Sequence, residues 1–298
     1  QWSVPGLVPE GFGLLTGAPK VGKSWAVLDF ALAVAAGGYV LGRLLTGEPR
    51  PVLYLALEDG ERRLQDRART LLGSGVPIPP NFHYLTRATP AEVLDALAEW
   101  LEVYGHERPL VVLDTLGKVM PPALPGESAY ARDYRVGSHL KRLIDEHPGS
   151  TLLVVHHTRK AGSDDWMDST SGTNGLNGAA DFTLNLSRAR GDDAGIIRVS
   201  GRDVLEGEYA VTRTSGRWAL DGEALAEAAR RAVEVKATEG LGDLSAEVVR
   251  VVSEHPDGIG PTKVGKLLGM SAGNAGTYLS RLAESGRIAK GGRGVYLP

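Results

Sequence analysis

Short apolar runs alternate with longer amphipathic stretches along the first two thirds of this chain. The apolar runs predict strands over residues 11–16, 51–57, 110–114, 151–156 and 182–187. The amphipathic stretches predict helices over residues 23–36, 62–72, 90–104 and 128–146. This alternation is typical of parallel strands joined by crossover helices. Because the predicted strands are apolar almost throughout, we expect helices to cover both faces of their sheet.

The pattern changes after the fifth predicted strand. Three short segments with turn residues between them follow, over residues 196–200, 208–213 and 216–220. Such segments are typical of antiparallel strands. We therefore predict an α/β domain over residues 1–220, in which a mainly parallel sheet carries an antiparallel extension.

The rest of the chain predicts a second, smaller domain. A charged, alanine-rich helix over residues 221–236 and a linker over residues 237–242 precede it. Residues 243–298 predict helices over residues 244–255, 261–268 and 273–285 and a hairpin around Gly291 and Gly292. This order is typical of a winged helix, with a recognition helix over residues 274–281 and a basic wing over residues 287–296. Its seven cations against five acids favour duplex DNA as the partner, and a protein-docking winged helix stays open as the alternative.

Composition narrows the classes of function. The net charge of -3 provides no overall attraction to nucleic acid, so local patches must supply any such binding. The absence of cysteine excludes disulfides and thiolate chemistry and fits a reducing compartment, so we expect a cytoplasmic protein. The seven histidines form no HExxH pattern, which argues against a zinc enzyme. The longest apolar run, over residues 25–40, is too short and too interrupted to span a membrane. Because the first residue is Gln1, we expect that a leader, tag or upstream region once preceded it.

Residues 17–24 fit the phosphate-loop pattern G-x-x-x-x-G-K-[ST]. In this pattern glycines let backbone N–H groups turn towards phosphates, the lysine reaches the β and γ phosphate oxygens, and the hydroxyl binds Mg²⁺. The segment lies where a predicted strand meets a predicted helix, whose amino end adds its positive dipole. It therefore predicts a site for ATP and Mg²⁺. The candidate binding residues are Gly17, Ala18, Pro19, Lys20, Val21, Gly22, Lys23, Ser24 and the following Trp25.

Two carboxylates are candidates to complete this site. Asp114 ends a predicted buried strand and is expected to bind Mg²⁺ with Ser24, although a strand-end aspartate can also cap a helix. Thr115 follows Asp114 where many phosphate-loop ATPases carry a glutamate, so the base that activates water must come from elsewhere. Glu58 ends a strand that we expect to lie next to the phosphate-loop strand, which makes it the candidate base. A solvated turn residue is the alternative for Glu58.

Three further residues are candidates for contact with the γ-phosphate. His156 and His157 end the predicted strand over residues 151–156, where one of them is expected to sense the phosphate and the other to be structural. Arg202 lies far downstream, where an arginine is able to reach the nucleotide of a neighbouring subunit. The alternative, which the sequence supports about equally, is that Arg202 is an ordinary surface arginine.

Five motifs, in order from about Gly11 to Arg202, resemble those of the RecA-like ATPases of the RepA subgroup, which are hexameric replicative helicases of plasmids with phage and mobile-element relatives. The first motif is the phosphate loop with Trp25. The other four lie within residues 53–65, 111–117, 156–160 and 171–181.

The resemblance implies a hexameric ring that couples ATP hydrolysis to movement on single-stranded DNA. It assigns phosphate and Mg²⁺ binding to Lys23, Ser24 and Asp114, water activation to Glu58, γ-phosphate sensing to the histidine pair, and the finger that acts on the next subunit to Arg202. It also implies two pore loops, over residues 120–135 and over residues 161–176 with Trp166. The alternative function is an ATP-switched DNA-binding regulator, or an assembly or recombination factor, without unwinding activity.

Overall fold

The computed structural model describes residues 1–157, 175–188, 192–238, 243–292 and 294–298. The chain forms two compact units, Gln1–Ala228 and Ala229–Pro298. The division falls inside the helix Leu225–Thr238, eight residues after the boundary predicted at residue 220. Most of the second predicted pore loop, including Trp166, lies outside the described residues, as do residues 239–242 of the predicted linker and Arg293 of the predicted wing.

Among the described residues, the first unit is built on a nine-stranded sheet. Its strands in chain order are β3 (Gly11–Thr16), β6 (Val52–Ala56), β7 (Phe82–Leu85), β8 (Leu110–Asp114), β9 (Thr151–Val155), β10 (Phe182–Arg188), β11 (Ala194–Gly201), β12 (Gly207–Thr214) and β13 (Arg217–Leu220). Two short pairs lie outside this sheet, β1 (Trp2–Val4) with β2 (Val8–Pro9) and β4 (Tyr39–Val40) with β5 (Leu44–Leu45). The helices are α1 (Lys23–Ala36), α2 (Glu61–Leu72), α3 (Pro90–Tyr104), α4 (Ala129–Asp145) and α5 (Gly175–Ala179).

The sheet order is β13-β12-β11-β10-β3-β9-β8-β6-β7. The six strands from β10 to β7 are mutually parallel, and β11, β12 and β13 continue the sheet in antiparallel pairs. The predicted α/β fold, with a mainly parallel sheet and an antiparallel extension, is therefore confirmed.

Helices cover both faces of the sheet because its central strands are apolar on both sides. On β6, for example, Tyr54 joins the core under α1 and α2, whereas Leu53 and Leu55 join the core under α3 and α4. Successive side chains of a strand point to opposite faces, so each central strand contributes to both cores. The carboxyl ends of the parallel strands consequently meet at one edge, where the loops carry the candidate site.

One expectation about the sheet is wrong. β6, which precedes Glu58, does not lie next to the phosphate-loop strand β3, because β9 and β8 come between them. The direct neighbours of β3 are β9 and β10. Sequence order does not reveal this insertion, since both intervening strands occur later in the chain than β6.

The second unit contains the end of α6 (Leu225–Thr238), followed by α7 (Asp243–Ser253), α8 (Pro261–Leu267) and α9 (Ala272–Glu284). An antiparallel pair, β14 (Ala289–Lys290) and β15 (Tyr296–Leu297), closes it. Val248, Val252, Val264 and Leu279 are among the residues of its small separate core. Residues 237–238, expected in the linker, instead end α6.

The helices in the described ranges include no candidate for a membrane-spanning segment. None of them combines the length and the apolar character that a membrane crossing needs.

Candidate nucleotide-binding site

The phosphate loop joins the carboxyl end of β3 to α1 through two positions that suit only glycine. Gly17 has a φ of 148°, and a Cβ atom on it would lie 2.3 Å from the carbonyl oxygen of Leu186. Gly22, with a φ of 116°, is the N-cap of α1. L side chains rarely adopt such backbone conformations, so both glycines allow the loop to turn sharply into the helix.

The amino end of α1 leaves backbone donors available. The N-cap Gly22 provides no side-chain hydrogen bond to the helix, and the first turn of α1 contains no acidic residue. The first N–H groups of an α-helix have no partner within the helix, and the helix dipole adds positive potential there. This end of α1 therefore suits the phosphates of a nucleotide.

Lys23 extends back across the loop. Its ammonium group donates to the carbonyl oxygens of Gly17, at 2.7 Å, and Ala18, at 3.0 Å, and lies 3.1 Å from Nδ1 of His157. Burial lowers the pKa of Lys23 to about 8, while the negative charges of Asp114 and Glu58 act in the opposite direction. A buried cation at the start of a helix attracts an anionic ligand, while the two carboxylates offset part of its charge.

Asp114 ends β8 as a buried carboxylate next to the helix start. It accepts hydrogen bonds from the Ser24 side chain and from the hydroxyl of Tyr54, the latter at 2.9 Å. Burial raises the pKa of Asp114, and these two hydrogen bonds lower it. The peptide bond between Asp114 and Thr115 is cis, and the Thr115 hydroxyl donates to the carbonyl of Val155 at 2.7 Å.

Glu58 reaches the same edge although its strand is not adjacent to β3. One of its carboxylate oxygens lies 3.7 Å from Nε2 of His157, so His157 lies between Glu58 and Lys23. Both side chains are accessible, with 39% of Glu58 and 43% of His157 exposed. An accessible carboxylate at the mouth of the loop is able to contact a water molecule beside a bound phosphate.

The remaining loop positions have different environments. Ala18, Pro19 and Lys20 are exposed, whereas Val21 is buried in the core under α1. Trp25, in the first turn of α1, is partly buried and lies beneath the guanidinium of Arg67.

Two further candidate residues, His156 and Arg202, have different surroundings from those of His157 and Glu58. The backbone of His156 bonds to the carbonyl of Leu15 at 2.9 Å, and its side chain is half-buried. Arg202 follows β11 and lies 3.9 Å from Asp181, at the amino end of β10. The phosphate loop follows the opposite end of the neighbouring β3, so Arg202 lies outside the site formed within its own subunit.

Several residues at the site did not emerge from the sequence. Tyr54 lies inside an apolar strand, and Trp218 on β13 donates its indole N–H to the Gly22 carbonyl at 3.2 Å. Asp59 and Arg67 form an ion pair beside Glu58. Tyr54 and Asp59 lie within the motif over residues 53–65, but the resemblance assigned neither of them a role.

Comparison with known proteins gives a family for this geometry. Residues 1–163 match the AAA domain family. The chain belongs to the AAA domain family. No curated protein matches this chain.

Solved structures give its fold. The structure of an ATPase domain matches with a TM-score of 0.55 and 13% identity, over 72% of this chain and 85% of that one. A DnaB-like replicative helicase, described with its interactions with primase, matches with a TM-score of 0.55 and 14% identity, over 70% of this chain and 57% of that one. The match thus covers little more than half the length of that helicase. The likeness confirms the predicted RecA-like phosphate-loop core.

The side chains of the site fit Mg²⁺. A buried carboxylate and a hydroxyl, those of Asp114 and Ser24, lie within one hydrogen bond of each other at the amino end of α1. Among the described residues no group of three or more His, Asp or Glu side chains is placed to hold a metal ion. Magnesium typically takes one or two protein ligands and completes its shell with substrate phosphates and water, so this pair suffices.

Proposed function

We propose that this chain hydrolyses ATP with Mg²⁺ and acts as a helicase-like motor on DNA. The observation that supports hydrolysis is the convergence of Lys23, Asp114, Glu58 and His157 around the start of α1. These side chains come from the carboxyl ends of four different strands or the loops that follow them, and they supply each chemical role that phosphoryl transfer requires.

Each residue has a distinct role in the proposed reaction. Lys23 and the backbone N–H groups of α1 bind the phosphate oxygens, while Ser24 and Asp114 hold Mg²⁺. When bound, Mg²⁺ neutralises charge on the phosphates. Glu58 orients and polarises the attacking water. His157 touches both Lys23 and Glu58, so of the two histidines it is the proposed γ-phosphate sensor.

The helicase part of the proposal follows from the two similar structures, an ATPase domain and a DnaB-like replicative helicase. We infer that the chain is a replicative helicase or helicase-like factor of a plasmid, phage or mobile element and that it assembles into a hexameric ring. In this ring Arg202 would reach the nucleotide of the adjacent subunit. The location of Arg202, opposite to its own phosphate loop, favours action on a different subunit over action on its own.

An exposed aromatic pair supports single-stranded DNA as the partner of the first unit. Tyr130 and Tyr134 lie within the first predicted pore loop region, are both exposed, and stack with ring centroids 6.2 Å apart and planes 9° apart. Aromatic rings offer stacking surfaces to unpaired bases, a sequence-tolerant mode of binding. The second proposed contact, the loop over residues 161–176, extends to the start of α5, which packs against α4 beside these tyrosines.

The second unit supports the alternative function. Three helices and a terminal strand pair are the order of a winged helix, and the Ser271 side chain caps α9, the proposed recognition helix. A chain in which ATP controls assembly and this unit selects a duplex site, or docks on a protein, would be a regulator or an assembly or recombination factor without unwinding activity.

A comparison of wild type with Lys23→Ala tests hydrolysis. Phosphate release should be dependent on Mg²⁺ and stimulated by single-stranded DNA in wild type, and lost in the variant. An equal rate in both proteins would remove the ATPase proposal.

An unwinding assay on a forked duplex separates the two candidate functions. Strand separation by wild type, but not by Lys23→Ala, supports a helicase. ATP-dependent binding of one duplex sequence without strand separation supports the regulator. Light scattering with and without ATP and Mg²⁺ gives the number of subunits.

A further inference from the structure

The turn that follows Glu58 contains a nearly buried carboxylate. Only 6% of the Asp59 side chain is exposed, and its backbone N–H donates to the carbonyl of Ala56 at 3.3 Å. Two arginines of α2 bond to its carboxylate, Arg63 at 3.3 Å on one oxygen and Arg67 on the other. A buried charge is costly unless it is paired, so this double pairing fixes Asp59 in the turn.

Arg67 makes a second contact that Arg63 does not share. Its guanidinium carbon lies 5.4 Å from the centre of the Trp25 ring. A cation over an indole face is attracted by the ring quadrupole. The side chain of Arg67 is 18% exposed, against 67% for that of Arg63, so Arg67 is the more enclosed of the two.

These contacts connect two parts of the site that come from distant parts of the chain. Trp25 directly follows Ser24 in the first turn of α1, and Asp59 directly follows Glu58 after β6. Arg67 therefore links the residue next to the proposed Mg²⁺ ligand with the residue next to the proposed base. The Glu58 carboxylate itself is restrained only weakly, since its approach to His157 is 3.7 Å and both side chains are accessible.

We propose that Arg67 is a positioning residue, which holds the turn of Glu58 at a fixed place relative to the phosphate loop by joining Asp59 to Trp25. The inference rests on the proposed function, in which Glu58 orients the attacking water. A base must keep its distance and angle to the reacting atoms, and a displacement of about 1 Å is enough to lower a rate about 100-fold. Loss of Arg67 should affect turnover more than nucleotide binding.

Arg63 provides the matched control, because it pairs with the same carboxylate from the same helix, whereas the contact with the Trp25 ring is made by Arg67. We would compare Arg67→Gln, Arg67→Lys and Arg63→Gln with wild type in steady-state ATP hydrolysis, with thermal denaturation of each protein. We expect Arg67→Gln to lower kcat about 10-fold or more while KM changes less than about threefold. Arg63→Gln should stay within about twofold of wild type, and Arg67→Lys should recover part of the lost kcat because it keeps the cation.

A second measurement separates positioning from a purely structural role. If Arg67 acts through Glu58, adding Arg67→Gln to Glu58→Gln should lower single-turnover hydrolysis by less than about twofold further. A full additional loss would overturn the inference, as would equal losses in the two arginine variants or an unchanged kcat in Arg67→Gln. Should Arg67→Gln fail to fold, the kcat of Arg67→Lys decides, and a wild-type kcat in that variant would overturn the inference. Equal hydrolysis by wild type and Lys23→Ala would instead refute the proposed function.

Discussion

Nδ1 of His157 lies 3.1 Å from the ammonium nitrogen of Lys23. An ammonium group only donates, so Nδ1 accepts and the proton of neutral His157 resides on Nε2, the atom that faces Glu58. His157 thus contacts both the lysine proposed to bind phosphate and the carboxylate proposed to orient water.

His157→Ala should therefore impair hydrolysis more than His156→Ala. We expect a loss in kcat of about 100-fold for the first, since His157 contacts both Lys23 and Glu58, and a smaller loss for the second. Steady-state phosphate release measures both. The reverse order of losses would assign the sensing role to His156.

Glu58→Gln should separate turnover from binding. The amide keeps the shape of the side chain but is a far poorer base than a carboxylate, so we expect hydrolysis to fall by about 100-fold or more. ATP should bind with nearly unchanged affinity, because Glu58 is exposed and opposes rather than attracts phosphate charge. Calorimetric titration with ATP gives the affinity, and loss of binding would show that Glu58 is structural.

Tyr54→Phe should weaken the use of Mg²⁺. The hydroxyl of Tyr54 donates to Asp114 at 2.9 Å, and partners that orient a metal ligand are typically worth about 10-fold or more in metal affinity. We therefore expect the Mg²⁺ concentration for half-maximal hydrolysis to rise about 10-fold. Tyr84→Phe on the edge strand β7 is the matched control, because that ring is exposed and should leave the Mg²⁺ dependence unchanged. Equal Mg²⁺ curves for Tyr54→Phe and wild type would show that Asp114 needs no such partner.

Asp29→Asn should change the pH dependence of stability. Burial raises the pKa of Asp29 to about 6, and the Leu41 N–H and the charge of Arg217 lower it. Because the folded pKa is above the unfolded value, the stability that Asp29 contributes is complete below about pH 4 and is lost as pH rises through about 6. The loss amounts to at most about 3 kcal/mol, and the variant should not show it because an asparagine side chain does not titrate.

Urea denaturation at pH 4.5 and pH 8 measures this difference. All five tryptophans lie within residues 1–228, so tryptophan fluorescence follows the first unit alone. The free energy of unfolding of Asp29→Asn relative to that of wild type should be larger at pH 8. The same difference at both pH values would show that Asp29 titrates normally.

The sequence predicts the central strands and the main helices well, since period and length leave little choice there. β3, β8, α1 and α3 begin and end as predicted. The pattern does not indicate β7, because only Phe82 of its four residues is buried and the strand includes His83 within a stretch rich in proline and polar residues. An edge strand packs on fewer neighbours, so its sequence carries a weaker signal.

Motifs reveal the residues proposed to contact ligands but not the side chains that hydrogen-bond to those residues or to their neighbours. The phosphate loop, Asp114 and Glu58 are visible as side-chain types at fixed spacing. Tyr54 and Arg67 act through partners 60 and 8 positions away in the chain, Asp114 and Asp59 respectively. Only the folded sheet and the packing of α2 bring these pairs together, so no local pattern encodes them.

The contact of Trp218 with Gly22 limits how far the chain can be shortened. The family match ends at residue 163, whereas β10, one of the two neighbours of β3, spans Phe182–Arg188, and the indole that holds Gly22 comes later still. A fragment cut at residue 163 would leave the backbone of β3 unpaired on one side, a form prone to aggregation. A fragment prepared to test nucleotide binding should therefore extend through Leu220, well past the region by which its family is identified.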